Sequence, residues 1–325
     1  MAIVGTGTKK DPIILDELLA EEVPEELRPG NFFDLNKYPF EHRSLIEDAR
    51  SVVDIIGKIK EYAIDWLLNK VSQSGISVDY SREKGRVHHI GKFGIAIEEG
   101  AIFEPSFIYG CLERGADKLY ISKDAVVAGA NIYLNTGDIY IGEGTVVEPG
   151  AGIKGPAIIG KRNEIRQGAY IRGNVIIGDQ KKLGDNAIRG ELKNVLMLDE
   201  ANFPHPSYLG DSICGYNTHM GNEATAANLG IYQGIRDRDK RINLQVKISD
   251  KRYDLGRSKM GVVLGDKTQL GCETFVDPGT LLGPRSVSYG LAYIKSGYYP
   301  PGTIFKTRPK KFVEFTKGGF DPGRL

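Results

Sequence analysis

The chain has 325 residues, and its 42 acidic and 43 basic side chains nearly cancel. This balance argues against nucleic acid or an anionic membrane as the main partner, because proteins that bind either usually carry a basic excess. No apolar run approaches the roughly 18 to 20 residues that span a bilayer, and the N-terminal MAIVGTGTKKDPI lacks the apolar core of a signal peptide. Three widely spaced cysteines, Cys111, Cys214 and Cys272, predict reduced thiols and a cytoplasmic protein.

Residues 1–85 differ in pattern from the rest and are predicted to form a helical cap region. GTGTKK at 5–10 matches neither the P-loop nor the dinucleotide-binding pattern, so we expect a flexible terminus there. Residues 39–71 carry an apolar stripe at helical spacing, which predicts an amphipathic helix that caps the next domain or packs on its flank. The stripe consists of Leu45, Ala49, Val52, Val53, Ile56, Ile59, Ala63, Trp66 and Leu67.

A six-residue repeat dominates the middle of the chain. Aliphatic residues recur at Ile141, Val147, Ile153, Ile159, Ile165, Ile171, Ile177 and Leu183, then at Leu264, Leu270, Val276, Leu282 and Ile294, with a lapse at Ser288. A short array between them has Cys214, Met220 and Ala226. A period of six fits neither a helix nor a single strand, but it fits a coil with flat faces. The aliphatic residue would point inward, and the glycine that often follows would permit a positive φ at the corner.

The repeat therefore predicts an all-β fold, a parallel β-helix, over residues 86–300, followed by a C-terminal tail, 301–325. Similarity to hexapeptide-repeat proteins implies that the coil is left-handed. A solenoid of this kind leaves open ends and flat faces, which need capping or partners.

The segment 193–228 collects polar residues where a loop is predicted to interrupt the hexads. These are Lys193, Asp199, His205, Tyr208, Asn217, His219, Asn222, Glu223 and Asn228. His205 stands between Pro204 and Pro206, which restrict the backbone on either side. Upstream, Arg166 and Arg172 lie one hexad apart, so adjacent coils could direct both toward one anion. The competing interpretation is a solvated face with a histidine in a turn.

Metal binding is the next chemistry to consider, since three histidines on adjacent coils can hold zinc. The five histidines are His42, His88, His89, His205 and His219. His88 and His89 are adjacent, so in a strand they would point to opposite faces. His205 and His219 alone would lie inside the repeat, which leaves a metal short of ligands. We therefore expect no metal.

Three runs and one asparagine resemble a known family: IRQGAYIRGNVIIGD (165–179), LKN (192–194), HPSYLGDSICGYNTHMG (205–221) and Asn228. They are similar to the acetyltransferase half of the bifunctional glucosamine-1-phosphate acetyltransferase and N-acetylglucosamine-1-phosphate uridyltransferase family. KRYDLGRSKMGVVLGDKTQLG (251–271) resembles the archaeal-type sugar-phosphate nucleotidylyltransferases of that family. The resemblance covers about residues 140–310, and its most specific part is the H-x-x-Y-x-G-D pattern. The nucleotidylyltransferase loop GxGTRxxP is missing, so nucleotide transfer is not expected.

The resemblance implies a role for each matching residue. His205 falls on the general base and Asn228 on an asparagine near the acetyl group, and these two are the candidate catalytic residues. Candidate substrate-binding residues are Arg166 and Lys193 for a sugar 1-phosphate, together with Tyr208 and His219. Candidate acyl-CoA-binding residues are Gly221, Asn222 and Cys272. The family also implies acetyl-CoA as co-substrate and a homotrimer with sites between subunits.

The resemblance predicts an acetyl-CoA-dependent N-acetyltransferase acting on a hexosamine 1-phosphate or a related amino sugar, in nucleotide-sugar biosynthesis. A neutral histidine suits this reaction because the attacking amine must lose a proton, and a backbone N–H near Gly221 would stabilise the oxyanion. One departure is a bulkier sequence, His219 to Ala224, where the family has NxGAGT. It motivates two alternatives: another acyl-CoA-dependent sugar or nucleotide-sugar acyltransferase, or a non-catalytic sugar-phosphate-binding trimer.

Overall fold

The computed structural model describes residues 5–73, 88–90, 93–104, 106–110, 117–230 and 239–307. Its helices are α1 (Arg43–Glu47) and α2 (Val52–Gln73), and 3₁₀ turns cover Leu15–Glu17, Ala20–Glu22, Glu25–Leu27 and Pro29–Asn31. The strands in chain order are β1 (Ile13–Ile14), β2 (His88–Ile90), β3 (Phe93–Ile97), β4 (Ile102–Phe103), β5 (Phe107–Tyr109), β6 (Asp117–Ile121), β7 (Val126–Val127), β8 (Asn131–Tyr133), β9 (Ile139–Ile141), β10 (Val146–Val147), β11 (Gly152–Lys154), β12 (Ala157–Ile159), β13 (Glu164–Ile165), β14 (Tyr170–Ile171) and β15 (Val175–Ile177). They continue with β16 (Ala187–Ile188), β17 (Glu191–Met197), β18 (Tyr208–Cys214), β19 (His219–Met220), β20 (Thr225–Ala226), β21 (Gln245–Ile248), β22 (Lys251–Asp254), β23 (Val262–Leu264), β24 (Gln269–Leu270), β25 (Phe275–Val276), β26 (Thr280–Leu282), β27 (Val287–Ser288), β28 (Tyr293–Ile294), β29 (Gly297–Tyr299) and β30 (Ile304–Phe305).

Most strands stack in parallel on the three faces of a left-handed β-helix of about ten turns. Face A contains β4, β7, β10, β13, β16, β19, β24, β27 and β30. Face B contains β2, β5, β8, β11, β14, the first halves of β17 and β18, and then β20, β25 and β28. Face C contains β3, β6, β9, β12, β15, the second halves of β17 and β18, and β23, β26 and β29. The predicted fold class is confirmed.

The six-residue repeat sets which side chains enter the interior. Ile153 pairs with Ile171, and Ile159 with Ile177, in stacked coils. The predicted inward positions from Ile141 to Ile177, and from Leu264 to Ile294, are at most 4 % exposed. Ser288 keeps this register: its hydroxyl lies 2.9 Å from the Thr274 hydroxyl and accepts the Gly271 N–H at 2.9 Å. The lapse at Ser288 is therefore a change of side chain within an unbroken coil.

Two details of the predicted repeat are wrong. Leu183 is 41 % exposed, and Ile188 takes the inward slot by stacking on Ile165, because five additional residues loop out before it. The expected interruption around His205 is also absent, since Phe203 fills an inward slot and stacks on Ile188. An aromatic residue in an aliphatic slot concealed the register in the sequence.

The real insertion in this half leaves the coil after Asn228 and returns at Met260, whose N–H donates to the Asn228 carbonyl at 2.9 Å. It carries the antiparallel pair β21–β22, and β1 adds to β22 in parallel. The insertion and the N-terminal region therefore share one small sheet beside the β-helix.

The glycines after inward residues have a different role from the predicted one. Gly142 and Gly160 do not have positive φ, whereas Gly144, two residues farther along, has φ 65°. A Cβ on Gly160 would lie 2.6 Å from the carbonyl carbon and oxygen of Gly178 in the next coil. These glycines are therefore needed because adjacent coils approach closely at the corner.

The N-terminal apolar stripe covers the outer side of face C. The predicted single helix is divided into α1 and α2. The Ser51 hydroxyl caps the N-terminus of α2 by accepting the Asp54 N–H at 3.2 Å. The α2 helix packs on the flank of the solenoid, where a second core joins it to the outward row of face C. That row consists of Ala96, Tyr120, Tyr140, Ile158, Ile176, Leu196, Ile213, Val263 and Leu281. No helix of the described residues is long and apolar enough to cross a membrane.

Candidate functional site

His205 lies at the corner where the chain passes from face A to face B. It follows inward Phe203 by two residues, as Asn222 follows Met220 and Cys272 follows Leu270 in the next two coils. The Glu273 N–H donates to the Asn222 carbonyl at 2.7 Å, which ties the upper two corners together. Because adjacent coils are about 4.8 Å apart, the three predicted residues form one column, the AB column, on the protein surface.

His219 lies beside the AB column on β19. Its neighbour in the ladder is Asn202, three residues before His205. Burial lowers the pKa of His219, and the nearby His205 lowers it further, because two adjacent imidazolium groups would repel each other. His219 is therefore neutral at neutral pH and can act as a hydrogen-bond partner for a bound ligand.

The Tyr208 side chain folds over Gly210 on face B, in the same strand. A Cβ on Gly210 would lie 2.2 Å from the Tyr208 hydroxyl and 2.9 Å from Asn228 Nδ2, so only glycine leaves room for both groups. Burial is the main cause that raises the pKa of Tyr208, and the carboxylates of Asp211 and Glu191 raise it further. The nearby Asn228 amide acts in the opposite direction and lowers this pKa.

Asp211 lies beneath Tyr208 and Asn228 and accepts a hydrogen bond from the Asn228 amide. It is buried, and its two carboxylate oxygens accept Asn194 Nδ2 at 2.9 Å and Asn228 Nδ2 at 2.6 Å. Buried charges in proteins require such partners. The resemblance implied no role for Gly210, Asp211 or Asn194, although the H-x-x-Y-x-G-D pattern contains the first two.

Lys193 lies next to Tyr208 and Asn228, opposite Gly210 in the ladder between β17 and β18. Among the described residues, no carboxylate lies within 4.0 Å of its ammonium group. Arg172, in the coil below, donates instead to Glu191 at 2.5 Å. Lys193 therefore offers a positive charge beside Tyr208 that is not paired with a carboxylate of the described residues.

Arg166 is not brought to this cluster within one chain. It follows β13 at the start of the turn to face B, whereas Lys193 ends the face B part of β17. The two side chains thus lie at opposite edges of face B and one coil apart. The guanidinium donates to both Glu164 oxygens, at 3.0 and 3.3 Å, and this carboxylate raises the pKa of Arg166.

The loop that departs from the family pattern forms an ordinary turn of the coil. An oxyanion donor was predicted near Gly221, but the Gly221 N–H itself donates to the Leu270 carbonyl at 2.8 Å and is occupied. The Asn222 N–H one residue later has no hydrogen-bond partner among the described residues. Asn222 is half-buried, and Glu223 points to solvent at the turn, with φ 57°.

A cleft of about 740 Å³ lies on face B beyond Asn228. Ala227, Phe275 and Tyr293 form its floor, and the insertion forms its wall with Leu229, Ile242 and Leu244. Lys9 and Arg252 supply positive charge to its lining. Its volume is typical of a site for a small molecule or cofactor.

Metal binding finds no support in the part of the chain that the structure describes. Within those residues, no three His, Cys, Asp or Glu side chains are grouped to hold an ion. The side chains of His88 and His89, and all of Cys111, lie outside the described residues.

Comparisons with known proteins agree with the repeat. Residues 138–173 match the family model "Bacterial transferase hexapeptide (six repeats)". A bifunctional protein GlmU of Methanocaldococcus jannaschii is 34 % identical over 93 residues, which is 29 % of this chain and 21 % of that protein. A GlmU of Methanococcus maripaludis strain S2 is 32 % identical over 152 residues, covering 47 % and 34 %.

A third relative is a bifunctional sugar-1-phosphate nucleotidylyltransferase/acetyltransferase of Sulfurisphaera tokodaii. It is 30 % identical over 118 residues, 36 % of this chain and 27 % of that protein. The matched segments thus span between about a fifth and a third of these relatives. The solved polysialic acid O-acetyltransferase OatWY aligns with 73 % of this chain and 96 % of its own at 11 % identity, with a TM-score of 0.25. That score is too low to bear on fold or activity.

Proposed function

We propose that this protein is an acyl-CoA-dependent acyltransferase that N-acetylates a hexosamine 1-phosphate or a related amino sugar. One observation carries the proposal: a single coil presents His205 at the AB column and, three residues later, Tyr208 in contact with Asn228 beside Lys193. Acetylation of an amino-sugar phosphate needs a base for the amine and a cation for the phosphate. The neutral hydroxyl and the amide can hydrogen-bond to the sugar and the acetyl group. The matches to transferase hexapeptides and GlmU proteins agree with acyl transfer.

The chemistry follows from these groups. The amine nitrogen of the sugar attacks the thioester carbonyl while His205 takes a proton from that amine. The histidinium then gives this proton to the departing thiolate. The C–N bond forms and the C–S bond breaks, so no further reactant is needed. Lys193 binds the 1-phosphate, while Tyr208 and His219 contact the sugar. Asn228 lies next to the acetyl group, at the end of the cleft.

The acyl donor fits along face B. The cleft begins at Ala227, directly before Asn228. Its two cations, Lys9 and Arg252, outnumber its one carboxylate, Asp277, which suits an anionic donor such as acetyl-CoA. In this proposal Gly221, Asn222 and Cys272 contact the donor at the corner between faces A and B, outside the lining of the cleft. We place the oxyanion donor at the Asn222 N–H, because the Gly221 N–H is bonded within the coil.

A homotrimer would supply the missing arginine. Arg166 lies away from Lys193 in one chain, so a second copy packed on face B could bring its own Arg166 to the phosphate. Such sites between subunits are common in symmetric oligomers. We propose a cytoplasmic trimer that works without a metal.

The test is acetylation of glucosamine 1-phosphate, followed by release of the CoA thiol. We expect His205→Asn to lower kcat by about 10²- to 10⁴-fold, because general base catalysis contributes that range. Lys193→Ala should raise KM for the sugar phosphate. Lys154→Ala is its matched control, since Lys154 holds the equivalent position two coils below. Unchanged acetylation by His205→Asn would exclude the mechanism.

Other acyl transfer is the second candidate, favoured by the half-buried Asn222 where the family has a smaller loop. A screen of amino sugars and nucleotide-linked amino sugars against several acyl-CoAs would identify it. If the protein releases no thiol, and millimolar acetyl-CoA leaves its Tm unchanged, a non-catalytic sugar-phosphate-binding trimer is favoured instead.

A further inference from the structure

Asp211 occupies a backbone position that does not by itself require a carboxylate. Asn174, Asn194 and Asp211 hold equivalent corner positions between faces B and C in three successive coils, with φ of 53°, 55° and 48°. Asparagine and aspartate both tolerate this left-handed conformation. Because asparagine serves in the two lower coils, the charge at 211 needs another explanation.

The contacts of Asp211 supply that explanation. Its Oδ1 accepts Asn194 Nδ2 at 2.9 Å, and its Oδ2 accepts Asn228 Nδ2 at 2.6 Å. A carboxylate is an acceptor at both oxygens, so it can hold two amides with their NH₂ groups turned inward. A neutral amide at 211 could accept from only one of them, since its other end is a donor.

These contacts connect the flanking helix with the candidate site. Asn194 Nδ2 also donates to the Ile56 carbonyl of α2 at 3.3 Å. On the other side, the Asn228 amide and the Tyr208 hydroxyl lie side by side over Gly210, at 2.9 and 2.2 Å from the position of a Cβ there. The backbone of Asp211 is fixed as well, since its carbonyl accepts the Gly261 N–H at 2.9 Å where the insertion returns to the coil.

We propose that Asp211 is a positioning residue, whose carboxylate fixes the Asn228 amide and through it the Tyr208 hydroxyl for substrate binding. The part that concerns substrate rests on the proposed function; the part that concerns Asn228 does not. Asp211 itself touches no substrate and has no role in proton transfer. Its carboxylate connects the site to helix α2 through Asn194, and its backbone carbonyl connects the site to Gly261 at the end of the insertion.

The test is Asp211→Asn in the 325-residue chain, because asparagine preserves the left-handed corner, replaces one acceptor oxygen by an NH₂ donor and removes the negative charge. The first readout is the NMR side-chain amide signal of Asn228, assigned by its loss in Asn228→Asp. We expect this signal to move in Asp211→Asn. We also expect KM for the amino sugar to rise about 10- to 100-fold, the range for loss of a hydrogen bond to a charged group, with a smaller change in kcat.

Asp266→Asn is the matched control. Asp266 is also buried, and its carboxylate accepts two backbone N–H groups, from Asp34 at 2.8 Å and Tyr216 at 2.9 Å, at a corner away from face B. It should lower Tm while leaving the Asn228 signal and KM unchanged. An Asn228 signal that stays at its wild-type position in Asp211→Asn would overturn the positioning role. A signal that moves in a protein without acetyltransferase activity would support the positioning role and refute the proposed function.

Discussion

Gly210 is the position where one methyl group should disable the candidate site without unfolding the protein. In Gly210→Ala the new Cβ would lie 2.2 Å from the Tyr208 hydroxyl, 2.7 Å from Tyr208 Cζ and 2.9 Å from Asn228 Nδ2. Ordinary contact between such atoms requires roughly 3.5 Å, so the hydroxyl must move by more than about 1 Å. Tyr208 is the flexible partner in this contact and will rotate toward solvent.

A displacement of that size is expected to cost about 10²-fold in kcat/KM, since misplacement by about 1 Å has that effect on positioned groups. Stability should fall by less than about 1 kcal/mol, because the strain is relieved at the end of one side chain. The pKa of Tyr208 should fall toward its ordinary value, because burial is the main cause that raises it.

Three measurements check this prediction: acetylation kinetics, urea unfolding, and titration of Tyr208 by NMR with ¹³C-labelled tyrosine, assigned with Tyr208→Phe. Gly30→Ala is the control, since a Cβ there would meet no atom within 4 Å. Wild-type kinetics together with an unchanged Tyr208 titration in Gly210→Ala would refute the assigned geometry.

Three further predictions concern stability. Gly160→Ala should destabilise the coil by about 1–3 kcal/mol in urea unfolding, because its Cβ would meet the Gly178 backbone at 2.6 Å; an unchanged midpoint would contradict the close approach of coils. Burial lowers the pKa of His42 to about 4, so between pH 6.5 and 4 the unfolded chain binds a proton at this histidine that the folded protein does not. The free energy of unfolding should therefore fall as the pH falls through this range, by about 3 kcal/mol at about 1.36 kcal/mol per pKa unit. His42→Phe should remove this loss from unfolding curves at pH 7 and 4.5. Burial raises the pKa of Asp199 to about 7, so below that pH the folded protein keeps a proton that the unfolded chain loses above pH 3.8. Stability should therefore fall as the pH rises from 3.8 through 7. Asp199→Asn should abolish that decline, and a variant with the same pH profile as the wild type would exclude this role of Asp199.

The architecture was predictable because the interior of a β-helix imposes one requirement at a fixed spacing. Every sixth residue must fill the same inner position, so Ile141 to Ile177 identify the coil from the sequence alone. The pattern failed where a different side chain filled the slot, as Phe203 does, or where residues looped out, as before Ile188. Spacing carries no signal for either event.

The candidate site was only partly predictable. His205, Tyr208, Lys193 and Asn228 were identified through resemblance, and their catalytic roles remain predictions. No pattern in the sequence selects Asn194, which acts through contacts with residues 17 and 138 positions away. Such contacts depend on which coil lies above which, and on where the flanking helix packs.

The sequence by itself determined the repeat, the β-helix and the apolar stripe that covers it, because each of these follows from a regular pattern of burial. Only the tertiary structure decided that the Gly221 N–H is occupied, that Arg166 lies apart from Lys193, and that Asp211 joins two amides. These are matters of a few ångströms between residues distant along the chain. They are set by the stacking of coils and the exact place of each insertion.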